Sequence, residues 1–225
     1  MYVSRQLPAE CRLHLVLIPR MSEPVSTPSL RKVAEADFPT RFGHFRIYGF
    51  EGFYSGRSEE AVVLAMGDLA GEAPLVRIHS QCLTVDVFHS LRCDCRAQLE
   101  LALEQIAEED RGLLIYEHKE GRGIGLLNKL RAYELQDAGA DTVEANLELG
   151  FEADLRSYEL PGDILRHFGV HRVRLLSNNP DKIQALERAG IEVVERVPCQ
   201  VEPSGTFEAY LRTKKEKLGH MLEGF

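Results

Sequence analysis

The sequence predicts an α/β fold of the α+β, mixed-sheet kind: a single compact domain, β-rich in its N-terminal half and alternating β and α afterwards. Three observations predict it. From near Lys32 to about Leu83 the chain reads as β, with short runs of β-branched and aromatic residues bounded by Gly, Asp and Pro, as in strands joined by turns. After Cys95 the apolar period changes: Leu99, Ala102, Leu103 and Ile106 stand at i, i+3, i+4 and i+7, one face of a helix. From there strand-like and helical stretches alternate, an order that places helices against a mixed sheet.

Residues 1–31 read as a flexible N-terminal extension, because Pro24, Ser26, Thr27, Pro28 and Ser29 make a poor element. Residues 32–225 form the compact domain. Its expected strands are residues 42–50, 61–66 and 75–79, and the helix through Leu99 stops near Gly112. Residues 113–116 make a buried strand. A glycine-rich turn, Glu120-Gly-Arg-Gly-Ile-Gly, then opens a helix through Leu126, Leu130 and Tyr133 that ends near Gly139. Next come a helix near 160–168, a strand at 173–176, the turn Ser177-Asn-Asn-Pro, a helix to Ala189 and a strand at 191–197. A basic helix over about 207–222 closes the chain.

A length of 225 residues with 44% hydrophobic and 28% charged content is that of a globular domain, not a fibre or a disordered chain. No run approaches 18 apolar residues, so no membrane span is expected. The formal charge is −8, from 35 acids against 27 bases. That argues against a nucleic-acid binder working by phosphate neutralisation, though it does not forbid a local basic pocket for one phosphorylated ligand. Five cysteines are an odd number for a disulfide framework. Cys11 and Cys199 stand alone, while Cys82, Cys93 and Cys95 crowd into 14 residues. The six-residue stretch 13–18, interrupted by His14, is too short for an export signal. A reducing, cytoplasmic location is expected.

The cysteine cluster is the strongest chemical signal. Zinc binds thiolates well; structural sites use four protein ligands, whereas catalytic sites use three and keep one position open. Three clustered cysteines favour an open site. Free core thiols and a structural site closed by His79 or His89 are the alternatives. The zinc-deaminase signature, His-x-Glu with Pro-Cys-x-x-Cys, is absent from the sequence.

Two turns suit an anion. The glycine-rich turn follows a strand and opens a helix, so backbone N–H groups can face a phosphate. In Ser177-Asn-Asn-Pro-Asp-Lys182, Asn179 suits an N-cap and Pro180 the first helical position. Lys182 falls in the first turn, where the helix dipole disfavours a cation unless an anion is bound.

Together, His79-Ser-Gln-Cys-Leu-Thr, Ser90-Leu-Arg-Cys-Asp-Cys, Glu120-Gly-Arg, Gly125-Leu-Leu-Asn-Lys, Leu135-Gln-Asp, Asp141-Thr-Val-Glu-Ala-Asn, Leu149-Gly-Phe and Asn178-Asn-Pro closely resemble GTP cyclohydrolase II, over roughly residues 32–222. The resemblance implies an enzyme of riboflavin synthesis that opens the imidazole ring of GTP, releasing formate from C8 and pyrophosphate from the triphosphate. It implies one zinc ion on Cys82, Cys93 and Cys95, whose water attacks C8, and Mg2+ with the triphosphate. Asp154 would be the proton acceptor, Arg156 the nucleophile towards the α-phosphate, and Tyr133 would lie near the opened ring. Arg77, Ile78, His79, Ser80, Gln81, Gln98, Glu120, Gly121, Arg122, Thr142, Ser177 and Lys182 match GTP-contacting positions. The family is dimeric, which makes a homodimer the expected assembly.

Five positions depart from the family pattern, of which Ser177 for Thr is mild because the hydroxyl is retained. Gln81 stands where Glu is usual, Val85 and Arg96 stand where Gly is usual, and His89 is unusual. The alternatives to the working enzyme are a diverged paralogue acting on another purine nucleotide or stopping part-way, and a non-catalytic zinc-stabilised module.

Overall fold

The structure, a computed structural model, describes residues 30–54, 56–201 and 208–224. Strands β1 (Arg31–Thr40), β2 (Gly43–Tyr54), β3 (Arg57–Met66), β4 (Leu75–Ser80), β5 (Gly112–Glu117), β6 (Arg172–Leu176) and β7 (Glu192–Val197) form one sheet in the order β1-β2-β3-β5-β4-β6-β7. The pairs β1–β2, β2–β3 and β3–β5 are antiparallel, while β5–β4, β4–β6 and β6–β7 are parallel. The mixed sheet and the change from β-rich to alternating order agree with expectation. The expected extension lies almost wholly outside the described residues. Strand β1 starts at Arg31, and Leu30 packs partly buried against the core.

The helices are α1 (Leu83–Asp86), α2 (Cys95–Glu108), α3 (Leu126–Asp137), α4 (Thr142–Glu148), α5 (Glu159–His167), α6 (Pro180–Arg188) and α7 (Glu208–Leu218). Side chains alternate across a strand, and the core divides accordingly. Val76, Ile78, Leu113 and Ile115 pack with Leu160, Ile164 and Leu165 of α5 and Leu186 of α6. Leu75 and Leu114 pack with Ala102, Leu103 and Ile106 of α2. Strands β4 and β5 are buried along nearly their whole length, which explains the apolar run of residues 113–116 in β5, while β4 also buries Arg77 and His79. Residues 31–40 fall in the stretch expected to be β, though no separate segment is marked there, and α1 and α4 are elements the sequence does not announce. No described helix is long and apolar enough to cross a membrane.

Candidate active site

The site lies where β4, β5 and β6 end. In open α/β sheets, crevices form outside the carboxyl ends of parallel strands. Ser80 to Cys82, Lys119 to Arg122 and Ser177 to Asn179 leave these three ends and line one cavity with residues of α2, α3 and α7. Every site residue expected from sequence lines this cavity except Ile78 and Asp154. The Ile78 side chain sits in the core, and only its carbonyl reaches the site, accepting a hydrogen bond from Lys182 Nζ at 2.8 Å. Asp154 stands behind Arg156.

At one end are the three cysteines. The Cys82 and Cys93 Sγ atoms are 3.7 Å apart, and those of Cys93 and Cys95 are 3.2 Å apart. All three sulphurs lie within 4.8 Å of one another, and no His, Asp or Glu oxygen or nitrogen joins the cluster among the described residues. Tetrahedral zinc with bonds of about 2.3 Å sets its sulphurs about 3.8 Å apart, so the donors fit that ion. Their acidities differ as crowded thiols require. Hydrogen bonds from Cys93 and Cys95, helped by Lys129 Nζ at 3.1 Å, hold Cys82 far below the usual thiol range. Its proximity pushes Cys93 up to about 12 and raises Cys95. One thiolate is favoured and three are not, unless a cation joins them. Neither histidine that could have closed the site does so. His79 stacks on Tyr116 at 5.4 Å with Nε2 3.4 Å from Asp86, and burial holds it neutral. His89 faces Arg96.

Tyr133 bridges this end to the cavity. Its hydroxyl is 3.1 Å from Thr84 Oγ1, which is itself 3.8 Å from Cys82 Sγ, and the Arg92 guanidinium covers its ring at 4.5 Å. Glu120 ties the metal loop to the glycine-rich turn: one oxygen accepts from Leu83 N at 2.7 Å, the other from Gly121 N and Lys129 Nζ. Gly121 has φ +62°, and a Cβ there would stand 2.9 Å from Ile124 Cγ1, so glycine is required. Arg122 adopts a similar left-handed φ of 60°. Such strain persists only where surroundings impose it; here Leu155 N donates to the Arg122 carbonyl.

The other end is cationic despite the net negative charge of the chain. Arg77 donates to the Leu176 carbonyl and to Gln98 Oε1. Arg156 pairs with both Asp154 oxygens and reaches Ser80 Oγ at 3.2 Å. Burial opposes charge on both partners, but their contact outweighs it: Arg156 holds Asp154 below the usual carboxylate range, and Tyr158 and Asp154 keep the guanidinium firmly protonated. Lys182, 5% exposed, is driven well below the usual amine range by burial, then by Arg77 and Arg156. Asn179 caps α6, accepting from Asp181 N at 2.9 Å with Pro180 at the first position, as expected. Thr142 lines the cavity from the first turn of α4. Tyr158 lies within 5.7 Å of Lys119, Arg156 and Lys182, a shared platform for three cations.

The departures find local partners, Gln81 only through its backbone. Val85 is buried against Cys82 and Cys93. Arg96 Nη1 meets His89 Nε2 at 2.6 Å and the Asp86 carbonyl at 3.1 Å, and Arg96 also pairs with Glu100. Gln81 lines the cavity, and its N–H donates to the Glu117 carbonyl. The sequence reading missed Lys129 and Asn146, which sit inside motifs it quoted, and Tyr210, Lys214 and His220, which carry no motif and reach the cavity only through the fold.

Comparison with known proteins agrees with this geometry. The family model described as GTP cyclohydrolase II matches residues 31–198. The chain is 54% identical over 195 residues to a GTP cyclohydrolase-2 of Shewanella amazonensis, covering 86% of this chain and 94% of that protein. It is 55% identical over 194 residues to those of Proteus mirabilis and Escherichia coli, covering 86% of this chain and 96% and 98% of theirs. With identity this high over most of both chains, and with the family's motifs gathered around one cavity, the chain belongs to the GTP cyclohydrolase II family and is a hydrolase of that kind.

Proposed function

We propose that the protein is a zinc-dependent GTP cyclohydrolase II that opens the imidazole ring of GTP. The products are 2,5-diamino-6-(5-phosphoribosylamino)pyrimidin-4(3H)-one, formate and pyrophosphate, the first step of riboflavin synthesis, in the cytoplasm. The observation that carries the reading is the polarity of the cavity: three sulphurs at one end and the Arg77, Arg122, Arg156 and Lys182 cluster at the other. A purine nucleotide has the same polarity, a ring at one end and polyphosphate at the other.

Cys82, Cys93 and Cys95 would hold the zinc, which supplies Lewis acidity and makes water nucleophilic near neutral pH. The Tyr133 hydroxyl, raised in pKa chiefly by burial, stays protonated and can hydrogen-bond the opening ring. Arg77, Arg122 and Lys182 bind the triphosphate, whose remaining charge a Mg2+ ion would share. Arg156 is the group directed at the α-phosphate. A protonated guanidinium is a poor nucleophile, so a proton must leave it as the phosphate arrives, and Asp154, bonded to two of its nitrogens, is placed to receive it. The remaining matched residues orient the nucleotide. The retained Tyr133, Asp154 and Arg156 favour a working enzyme over a diverged one.

The assembly is a homodimer. Val87, Phe88 and Leu91 after α1, and Leu127, Leu130 and Leu147 on α3 and α4, are all more than 40% exposed, an apolar excess that a second copy would cover.

Measuring metal, formate and pyrophosphate separately tests the reading. The unaltered protein should carry about one zinc and release both products from GTP. Cys95→Ser should lose zinc and formate release. Arg156→Ala should keep zinc and lose pyrophosphate release. Full zinc in Cys93→Ser, or full pyrophosphate release by Arg156→Ala, refutes the assigned roles.

A further inference from the structure

The last described segment spans the cavity from its sulphur end to its cationic end. At the first end, Lys214 of α7, 7% exposed, donates to Asp94 Oδ1 at 3.0 Å, and Asp94 stands between Cys93 and Cys95. Lys214 also lies 4.3 Å over the Tyr210 ring. Lys217, one turn on, pairs with Asp141 and Glu144 at the start of α4. The chain then reverses at Gly219, whose φ of +63° favours glycine.

After the reversal the backbone is tied down. His220 N donates to the Lys214 carbonyl at 3.1 Å, and Met221 N donates to the Asn178 carbonyl at 2.9 Å. Leu222 is buried. Glu223 N and its carbonyl form a reciprocal pair with the Gln200 amide at 3.0 and 2.8 Å. Residues 219–223 are therefore a strap lying across the Ser177–Asn179 turn.

The strap puts the His220 imidazole in the cavity wall, and that side chain has no hydrogen-bond partner among the described residues. Burial is the first influence on it, followed by the charges of Lys214, Arg156, Lys182 and Arg122, which push its pKa down to about 2. The ring is neutral, with one N–H to donate. A further cation here would add to the repulsion among the Arg77, Arg122 and Arg156 charges lining the cavity. A neutral donor adds a hydrogen bond for an anion without that cost.

We propose that His220 is a substrate-binding residue: the C-terminal strap lays its imidazole over the polyphosphate end of the cavity, where its N–H donates to a phosphate oxygen. This rests on the reading that Arg122, Arg156 and Lys182 receive the triphosphate. The strap completes the wall of the site, so a chain ending at α7 would keep its metal donors and lose this contact.

The test uses the full-length, zinc-loaded protein and two probes, inorganic tripolyphosphate for the phosphate end and guanosine for the ring end. Their affinities are measured by calorimetry for the parent, His220→Ala and His220→Gln, alongside GTP kinetics followed by formate. Losing one hydrogen bond to a charged group should weaken tripolyphosphate binding roughly tenfold in His220→Ala. The GTP KM should rise by a similar factor with kcat changed less, and guanosine affinity should stay within about twofold. His220→Gln, which keeps an N–H donor, should recover most of the loss. Unchanged tripolyphosphate affinity in His220→Ala overturns the proposal. So does equal weakening of both probes without rescue by Gln, because the strap would then be only structural. A parent that releases formate from GTP yet binds no tripolyphosphate overturns the phosphate-end assignment and His220 with it. A parent that binds tripolyphosphate but releases no formate overturns the reaction while leaving the His220 binding result intact.

Discussion

At the scale of single residues, the departures from the family pattern form a small structure of their own. Arg96 joins His89, the Asp86 carbonyl and Glu100, and His89 holds a left-handed φ of 58° that few non-glycine residues adopt. Reverting Arg96 to Gly removes this clamp and puts glycine in the first turn of α2. The expected cost is about 1–2 kcal/mol, read by denaturant unfolding, with zinc content unchanged because no sulphur is touched. Asp154 offers a pH test. Its folded pKa is lowered below the unfolded value of about 3.9 by Arg156, against the opposing effect of burial. The stabilisation is then complete above the unfolded pKa and is lost as pH falls through the folded one. Asp154→Asn should be less stable than the parent at pH 6, and the difference should shrink below about pH 4. A difference that persists undiminished at acid pH would contradict the ion-pair account.

At the scale of elements, helix ends carry much of the site. Asn179 and Pro180 start α6 as their types require, and the cap accepts from Asp181 N. Asn179→Ala should lower stability by about 1 kcal/mol, visible as a lower Tm. Helix α4 begins with a full capping box, Asp141 accepting from Val143 and Glu144 N–H while Glu144 accepts from Asp141 N. The signal is present in Asp141-Thr-Val-Glu, but a helix of seven residues shows too little periodicity to mark it. Strand β1 was harder to see. It is exposed along most of its length and is held by backbone pairing to β2, which leaves no alternation of apolar side chains. Helix α3 reads as apolar through Leu126, Leu130 and Tyr133, yet Leu127 and Leu130 face outward. The pattern predicted the helix correctly without saying what its apolar face meets.

For the whole molecule, that outward face is the basis of the assembly prediction. The protein in solution should have twice the chain mass by light scattering, and Phe88→Glu combined with Leu127→Glu should reduce it to the chain mass with zinc retained. A parent of single-chain mass would overturn the dimer. Charge also has meaning at this scale. A net charge of −8 coexists with a cavity lined by Arg77, Lys119, Arg122, Arg156 and Lys182, because the β4, β5 and β6 ends gather cations that lie far apart in the chain.

Local chemistry alone encodes the switch of period after Cys95, the capped start of α6, a glycine-rich turn after β5, and three thiols close enough in the chain to meet. Spacing alone left the nature of the cysteine site open, and the fold narrowed it by turning His79 towards Asp86 and His89 towards Arg96. Only the tertiary structure could bring Lys129 to Cys82, Lys214 to Asp94 and Met221 to Asn178. Those contacts join segments separated by 47 and 120 residues in the first two cases, and no residue type announces such a partner. They exist because parallel strands end on one side of a sheet, and whatever loops and helices cover that side share one cavity.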